Sequence, residues 1–194
     1  MYNIKKNIFN LKSQKIREIS KIILKEKYSE FEKYIYLFYD NKKKYTEKIF
    51  EDKEIFGNST DNANIYTALK NFAVYYNLGI LYYRDDIFDK KAEWNRAAEI
   101  FDILFQDILP QEIILGILRK CFFTDSRYSV ELFFDFISEV LEENNLKMYF
   151  LDDGSELFLF FILKKDVKVK YRNFSDFLSN KGNNSENLIY SAGK

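Results

Sequence analysis

The sequence predicts an α+β protein in which a small, mostly antiparallel sheet is covered by several helices. Residues 146–164, LKMYFLDDGSELFLFFILK, hold two apolar runs around an Asp-Gly turn, which is typical of a β-hairpin. Most other segments repeat apolar residues at intervals of three or four, as amphipathic helices do. With 194 residues the chain can form one domain with a sizeable core.

The second run of the hairpin predicts a central strand. Residues 157–164 begin with LFLFFIL, which is apolar at every position instead of alternating, so a strand there must bury both faces. The first run, residues 146–151, would be its neighbour in the sheet. The two faces of the central strand would be formed by Phe158, Phe160 and Ile162 and by Leu157, Leu159, Phe161 and Leu163.

Two further strands are expected. Residues 79–84, GILYYR, form a short apolar run after a glycine, which suits a buried strand, with continuation of the preceding helix as the alternative. Over residues 167–172 Val and Tyr alternate with Lys and Arg, which favours an edge strand protected by positive charge. A helix that starts at Asp166 is the alternative there.

The predicted helices have recognisable start signals. Ser29 and Glu32 match a capping box at the start of the second helix. Asn62 or Asn64 can cap the fourth helix, and Pro110 suits the first turn of the sixth. The expected helices cover residues 11–25, 29–40, 42–56, 65–77, 91–109, 111–123 and 127–143, with a short one at 174–178.

The clearest break in the chain is the turn-forming run GNSTDN at residues 57–62, where we expect a loop and a subdomain boundary. The predicted organisation is a helical N-terminal region, residues 1–56, packed on an α+β body at residues 62–180. The polar residues 181–194 are expected to form a flexible tail.

The residue types that the chain lacks exclude several classes of function. Histidine is absent and Cys121 is the single cysteine, so one chain cannot form a disulfide, a Cys/His zinc site or a His-dependent catalytic triad. Cys121 is expected to be a buried, inert thiol. The six glycines form no phosphate-binding motif. We therefore expect neither enzymatic activity nor a cofactor.

The N-terminus lacks the pattern of a signal peptide, and no apolar run is long enough to span a membrane. A cytoplasmic protein without a membrane partner is therefore expected.

The zero net charge conceals an uneven distribution. Residues 1–54 carry 14 Lys and Arg against 9 Asp and Glu, whereas residues 61–164 carry 10 against 18. The acidic middle could offer a negative face to a basic partner protein, or it could pack against the basic N-terminal helices. The candidate partner-binding residues are Asp85, Asp86, Asp89, Glu99, Asp102, Glu131, Asp135, Glu139 and Glu142.

Carboxylate clusters allow a second hypothesis, a metal-binding enzyme, because hard cations take oxygen ligands. One cluster follows the strand predicted at residues 79–84, and the other lies in the hairpin turn. Asp and Gly are also ordinary turn residues, and the hairpin does not match the EF-hand spacing, so we expect no metal there. The two clusters are Asp85, Asp86 and Asp89, and Asp152, Asp153 and Glu156.

Basic residues near the N-terminus allow a third hypothesis, a nucleic-acid-binding protein. Glu18, Glu26 and Glu30 are interspersed among them and dilute the positive charge, so we do not expect a nucleic-acid partner. The basic residues concerned are Lys5, Lys6, Lys12, Lys15, Arg17, Lys21, Lys25 and Lys27.

Residues 139–163 combine the end of a helix, a strand, the turn LDDGSE and a strongly apolar strand. This arrangement resembles the C-terminal part of small bacterial proteins known only as domains of unknown function, some of which belong to toxin immunity loci. The resemblance implies an immunity or inhibitor protein and brings no catalytic residues. Together with the acidic middle, the resemblance predicts a non-enzymatic module that neutralises a basic toxin domain by direct binding. The oligomeric state is not predicted.

Overall fold

The structure is a computed structural model that describes residues 2–57, 60–83, 110–112, 115, 130–170 and 189–191. These residues contain helices and one four-stranded antiparallel sheet, which confirms the predicted α+β class. The chain divides into two compact units, Met1–Gly79 and Ile80–Lys194.

The regular secondary structure in the described residues of the first unit is all helical. Its first helix begins well before residue 11, where the sequence predicted its start. The helix predicted over residues 42–56 is interrupted at Asp52, whose φ of −89° and ψ of 46° lie outside the helical region. The helices are α1 (Tyr2–Leu24), α2 (Tyr28–Asp40), α3 (Lys42–Glu51), α4 (Lys53–Phe56) and α5 (Ile65–Tyr75), with 3-10 turns at Lys25–Lys27 and Thr60–Ala63.

One predicted helix cap is confirmed and one is wrong. Asn64 caps α5, because its side-chain oxygen accepts a hydrogen bond of 3.0 Å from the backbone N–H of Tyr66. Ser29 does not cap α2, because that helix already begins at Tyr28. The carboxylate of Glu32, the other half of the expected capping box, accepts a hydrogen bond from the Tyr28 hydroxyl instead.

Aromatic side chains form much of the core of the first unit. Phe31 and Tyr34 of α2 are fully buried, and Phe72 of α5 is 1% exposed. The ring of Phe72 lies 5.1 Å from that of Phe31, and the ring of Phe56 lies 5.0 Å from that of Tyr34. Each such pair contributes about 0.5–1.5 kcal/mol beyond its buried area. These contacts join α2, α4 and α5.

Asn62, expected in a loop, is 1% exposed and joins three helices. Its side chain donates a hydrogen bond of 2.8 Å to the carbonyl of Phe56 and accepts one of 2.7 Å from the amide of Asn71. Its own carbonyl accepts a hydrogen bond of 2.7 Å from the buried hydroxyl of Tyr45. A buried amide satisfied in this way fixes the path of the chain between α4 and α5.

The first compact unit extends to Gly79, whereas the sequence predicted a boundary near residues 57–62. The physical reason is the packing of α5, which contacts α1, α2 and α4 and buries Ala68, Leu69 and Phe72. The described residues of the turn-forming run are thus part of a connection within this unit.

The second unit contains the sheet, in the order β1-β3-β2-β4, with every neighbouring pair antiparallel. The bounds predicted for the two hairpin strands are confirmed, and the strand expected at residues 79–84 is present. The elements are β1 (Ile80–Tyr83), α6 (Val130–Glu143), β2 (Leu146–Leu151), β3 (Leu157–Lys164) and β4 (Ile189–Ser191).

Strand β3 is central, as predicted, and lies between β1 and β2. Side chains on both of its faces are buried from Phe158 to Leu163, none more than 7% exposed. On one face the ring of Phe150 from β2 lies 5.4 Å from Phe158 and 5.5 Å from Phe160. Burying each large apolar side chain contributes about 1.5–3 kcal/mol, so β3 is a major source of stability for this unit.

The prediction of a strand at residues 167–172 is wrong for residues 167–170, which form no strand. The alternative is wrong too, because no helix begins at Asp166. Instead, the chain turns after β3, and the N–H of Lys165 donates to the carbonyl of Asn145 at 2.9 Å. The fourth strand is β4, within the expected flexible tail. Its three residues are buried and pair with β2.

Replacing Phe158 with alanine tests the role of β3. We expect Phe158→Ala to lower the free energy of unfolding by about 3–5 kcal/mol, because it removes a fully buried ring from the sheet. Val167→Ala, at a position 39% exposed just beyond β3, should change it by less than about 0.5 kcal/mol. Urea unfolding, monitored by circular dichroism, measures both changes. Equal losses of unfolding free energy in the two variants would contradict the central role of β3.

Replacing Asn62 with alanine tests the hydrogen-bonded junction. The substitution leaves the carbonyl of Phe56 and the amide of Asn71 without this partner, and we expect a loss of about 1–3 kcal/mol. Asn144→Ala removes one exposed side-chain hydrogen bond and should cost less. Thermal and urea unfolding compare the two variants, and an Asn62→Ala protein as stable as the unmodified chain would argue against the junction.

Candidate functional site

Helix α6 carries the predicted partner-binding residues whose side chains the structure describes. Ile137 and Leu141 are buried, and the helix packs on β2. Glu139 and Glu142 are exposed. They lie two positions before and one position after the buried Leu141, and the helical period turns residues at those positions away from the buried side of the helix. Of the predicted acidic face, the structure therefore places the carboxylates of Glu139 and Glu142 on one helix.

The remaining predicted partner-binding residues fall into two groups. Glu131 and Asp135 also lie in α6, but their side chains are outside the described part of the chain. The others precede α6 and belong to residues 84–109, outside the described residues: Asp85, Asp86, Asp89, Glu99 and Asp102.

The C-terminal end of α6 concentrates negative charge. Glu142 and Glu143 occupy the last turn, which holds no basic residue. The carbonyl end of a helix itself carries partial negative charge, so each carboxylate there is unfavourable by about 0.3–1 kcal/mol. This turn is therefore less stable than the same turn would be with neutral or basic side chains.

Lys165 offsets part of this charge. Its Nζ lies 3.2 Å from a carboxylate oxygen of Glu142, and the two side chains are 48% and 39% exposed. An ion pair this exposed contributes about 0–1 kcal/mol. Among the described residues no ion pair involves Glu139 or Glu143, so these carboxylates are available to an external cation.

The hairpin turn uses its carboxylates for local structure. Asp152 accepts a hydrogen bond of 2.8 Å from the N–H of Gly154, and Asp153 accepts one of 3.1 Å from the N–H of Ser155. Gly154 has a φ of +82°, which glycine adopts without strain. Glu156 is exposed. Within the described part of the chain no group of three or more His, Cys, Asp or Glu side chains could hold a metal ion.

A shallow groove of about 460 Å³, called here the α1–α2 groove, lies on the first unit. An ion pair of 3.1 Å joins Arg17 of α1 to Glu32 of α2, and Tyr36 is 52% exposed. Tyrosine and arginine are enriched where proteins bind one another. The lining residues are Arg17, Ser29, Glu32, Lys33, Tyr36 and Leu37.

The α1–α2 groove was not predicted from the sequence, although the sequence contains a signal for it. A second stripe on α2 follows the helical spacing of three and four residues, at positions 29, 32, 33, 36 and 37. This stripe is distinct from the one that buries Phe31, Tyr34 and Ile35. Nothing in the local sequence indicates that Arg17, from the preceding helix, completes the groove.

The carboxylate of Glu32 also affects the pKa of a nearby tyrosine. The Tyr28 hydroxyl donates a hydrogen bond of 2.8 Å to Glu32. Burial, followed by this hydrogen bond and the negative charge of Glu32, raises the pKa of Tyr28 to about 12, against an opposing effect of Arg17. Tyr28 therefore stays protonated and keeps its hydrogen bond throughout the neutral and mildly alkaline range.

The basic residues of the first unit are partly engaged with carboxylates. Besides the Arg17 ion pair, Lys27 lies 2.7 Å from Glu30, and the hydrogen bond to Glu30, together with its negative charge, raises the pKa of Lys27. Lys48 lies 3.0 Å from Asp52. The side chains of Lys5, Lys6 and Lys12 are outside the described residues. These pairs reduce the positive charge that a phosphate backbone would meet.

No protein-family model, no curated protein and no solved structure matches the chain. Among the described helices, none is both long and apolar enough to cross a membrane.

The pKa of Tyr28 makes a prediction for alkaline pH. Because its pKa in the folded protein exceeds the ordinary value near 10, the stabilisation it provides is complete below pH 10 and is lost as pH rises through about 12. Glu32→Gln removes the negative charge and should lower the pKa of Tyr28 towards 10. NMR of ¹³C-labelled tyrosine rings measures the titration of this residue directly.

Glu54→Gln, at an exposed position on α4, is the control and should leave the Tyr28 titration unchanged. A Tyr28 that titrates near 10 in the unmodified protein would contradict the assigned hydrogen bond and burial.

Proposed function

We propose that the protein is a non-enzymatic protein-binding module whose partner presents a basic surface. The supporting observation is the end of α6, where exposed carboxylates lie at the negative end of the helix dipole. A cationic group from a partner would be attracted by both. Binding would thus relieve an unfavourable arrangement that the free protein retains.

The acidic composition of residues 61–164, with 18 Asp and Glu against 10 Lys and Arg, supports the same choice of partner. Opposite charges on two surfaces accelerate association and disfavour wrong partners. The absence of histidine and the single cysteine support a role in binding over one in catalysis.

The more specific form of the proposal is an immunity or inhibitor protein that neutralises a basic toxin domain by direct binding. It is supported by the resemblance of residues 139–163 to small bacterial proteins of unknown function, some of which belong to toxin immunity loci. This segment includes the acidic end of α6 and the hairpin that supports it. In this form the protein acts by covering a functional surface of the toxin and needs no chemistry of its own.

Charge-neutral variants test this proposal on a partner captured from an extract of the native host. With that partner purified, we expect Glu139→Gln combined with Glu143→Gln to weaken binding at least tenfold, since two exposed carboxylates are lost. The matched control, Glu26→Gln combined with Glu54→Gln, makes the same change of charge at exposed positions of the first unit and should leave binding unchanged.

Isothermal titration calorimetry at two salt concentrations measures the affinity, which should fall as salt rises. Equal affinities for the two double variants, or no partner that binds at micromolar concentration, would contradict the proposal.

A further inference from the structure

The α1–α2 groove has more positive than negative charge around it. Glu32 neutralises Arg17, whereas Lys33, which also lines the groove, forms no ion pair with a described carboxylate. Lys21 lies close by, since its Nζ is 5.2 Å from the ring of Tyr28, whose hydroxyl binds Glu32. Within the described part of the chain Lys21 forms no ion pair either, and both lysines are exposed. The groove therefore favours an occupant that carries carboxylates.

Glu32 adds an acceptor to this basic surround. Its ion pair with Arg17 and its hydrogen bond from Tyr28 both use the same oxygen, Oε1. A carboxylate has two oxygens with about four lone-pair sites, so Glu32 retains the capacity to accept from a further donor. Its side chain is 42% exposed. A backbone N–H of a peptide that enters the groove can therefore donate to Glu32.

The size and the apolar part of the groove suit a short peptide segment. Tyr36 is 52% exposed, and Leu37, the next residue, is half-buried; both line the groove and offer apolar contact. The volume of about 460 Å³ lies within the range of about 300–1,000 Å³ that is usual for small-ligand sites, so it holds a few side chains. A nucleic acid fits less well, because the Glu32 carboxylate repels a phosphate backbone.

We propose that the α1–α2 groove binds a short acidic peptide segment of a partner protein, with large apolar side chains between its carboxylates. The apolar side chains contact Tyr36 and Leu37, and the carboxylates pair with Lys21 and Lys33. A peptide N–H donates to Glu32 and fixes the position of the segment. This site lies on the first unit and is independent of the acidic end of α6.

Titration of a fluorescent peptide GDELFEDG with the full chain tests the groove, and fluorescence anisotropy measures the affinity. We expect saturable binding that weakens as salt rises. Lys21→Gln combined with Lys33→Gln should weaken binding about tenfold, because both unpaired cations are lost. Tyr36→Ala should weaken it at least fivefold, because the exposed ring is lost. The lysine variant changes exposed side chains alone and serves if circular dichroism shows that Tyr36→Ala unfolds.

Matched variants and peptides serve as controls. Lys43→Gln combined with Lys44→Gln removes the same charge from exposed positions of α3, and Phe50→Ala removes a ring that is 66% exposed. Both should bind GDELFEDG within about twofold of the unmodified protein. GDEAAEDG lacks the large apolar side chains, and GKKLFKKG reverses the charge. Both peptides should bind the unmodified protein at least tenfold more weakly than GDELFEDG.

Three results would overturn the proposal. One is the absence of saturable binding of GDELFEDG up to about 1 mM protein. Another is equal binding of the three peptides, or equal losses in the groove variants and their controls. The third is an oligothymidine that binds more tightly than GDELFEDG and loses affinity in the lysine variant, which would assign the groove to nucleic acid instead.

Discussion

The pairing of β2 with β3 is the interaction on which the described part of the second unit depends. β3 buries side chains on both faces and receives β1 on one edge and β2 on the other. A strand buried on both sides has no solvent-exposed face, so other elements must cover it. On β2, the covering includes α6, which packs through Ile137 and Leu141 and so turns Glu139 and Glu142 outwards. The exposed acidic helix end follows from the apolar hairpin beneath it.

The helices of the first unit are held together by contacts of a different kind. Several of its helices meet through aromatic rings and one buried amide. Asn62 makes hydrogen bonds to groups of α3, α4 and α5, where an apolar residue of similar size could fill the space but could not fix the direction of the chain. The α1–α2 groove lies on the outside of this framework.

The sequence predicted features that depend on local pattern. The bounds of β2 and β3, the cap at Asn64 and the exposure of Glu139 all follow from periodicity or turn chemistry within a few residues. The missed features depend on partners distant in the chain. β4 is only three residues long, too short for a periodic signal, and its pairing with β2 spans about forty positions. The burial of Asn62 and the groove completed by Arg17 likewise arise only when helices pack together.

Native-state hydrogen exchange measured residue by residue is the most direct test of the central role of β3. If the strand is the core of the second unit, the amides of Phe158 to Leu163 exchange most slowly of all its described residues, and only through unfolding of the whole unit. The amides of residues 168–170, which lie outside the sheet, should exchange many times faster. Similar exchange rates in the two segments would contradict the account.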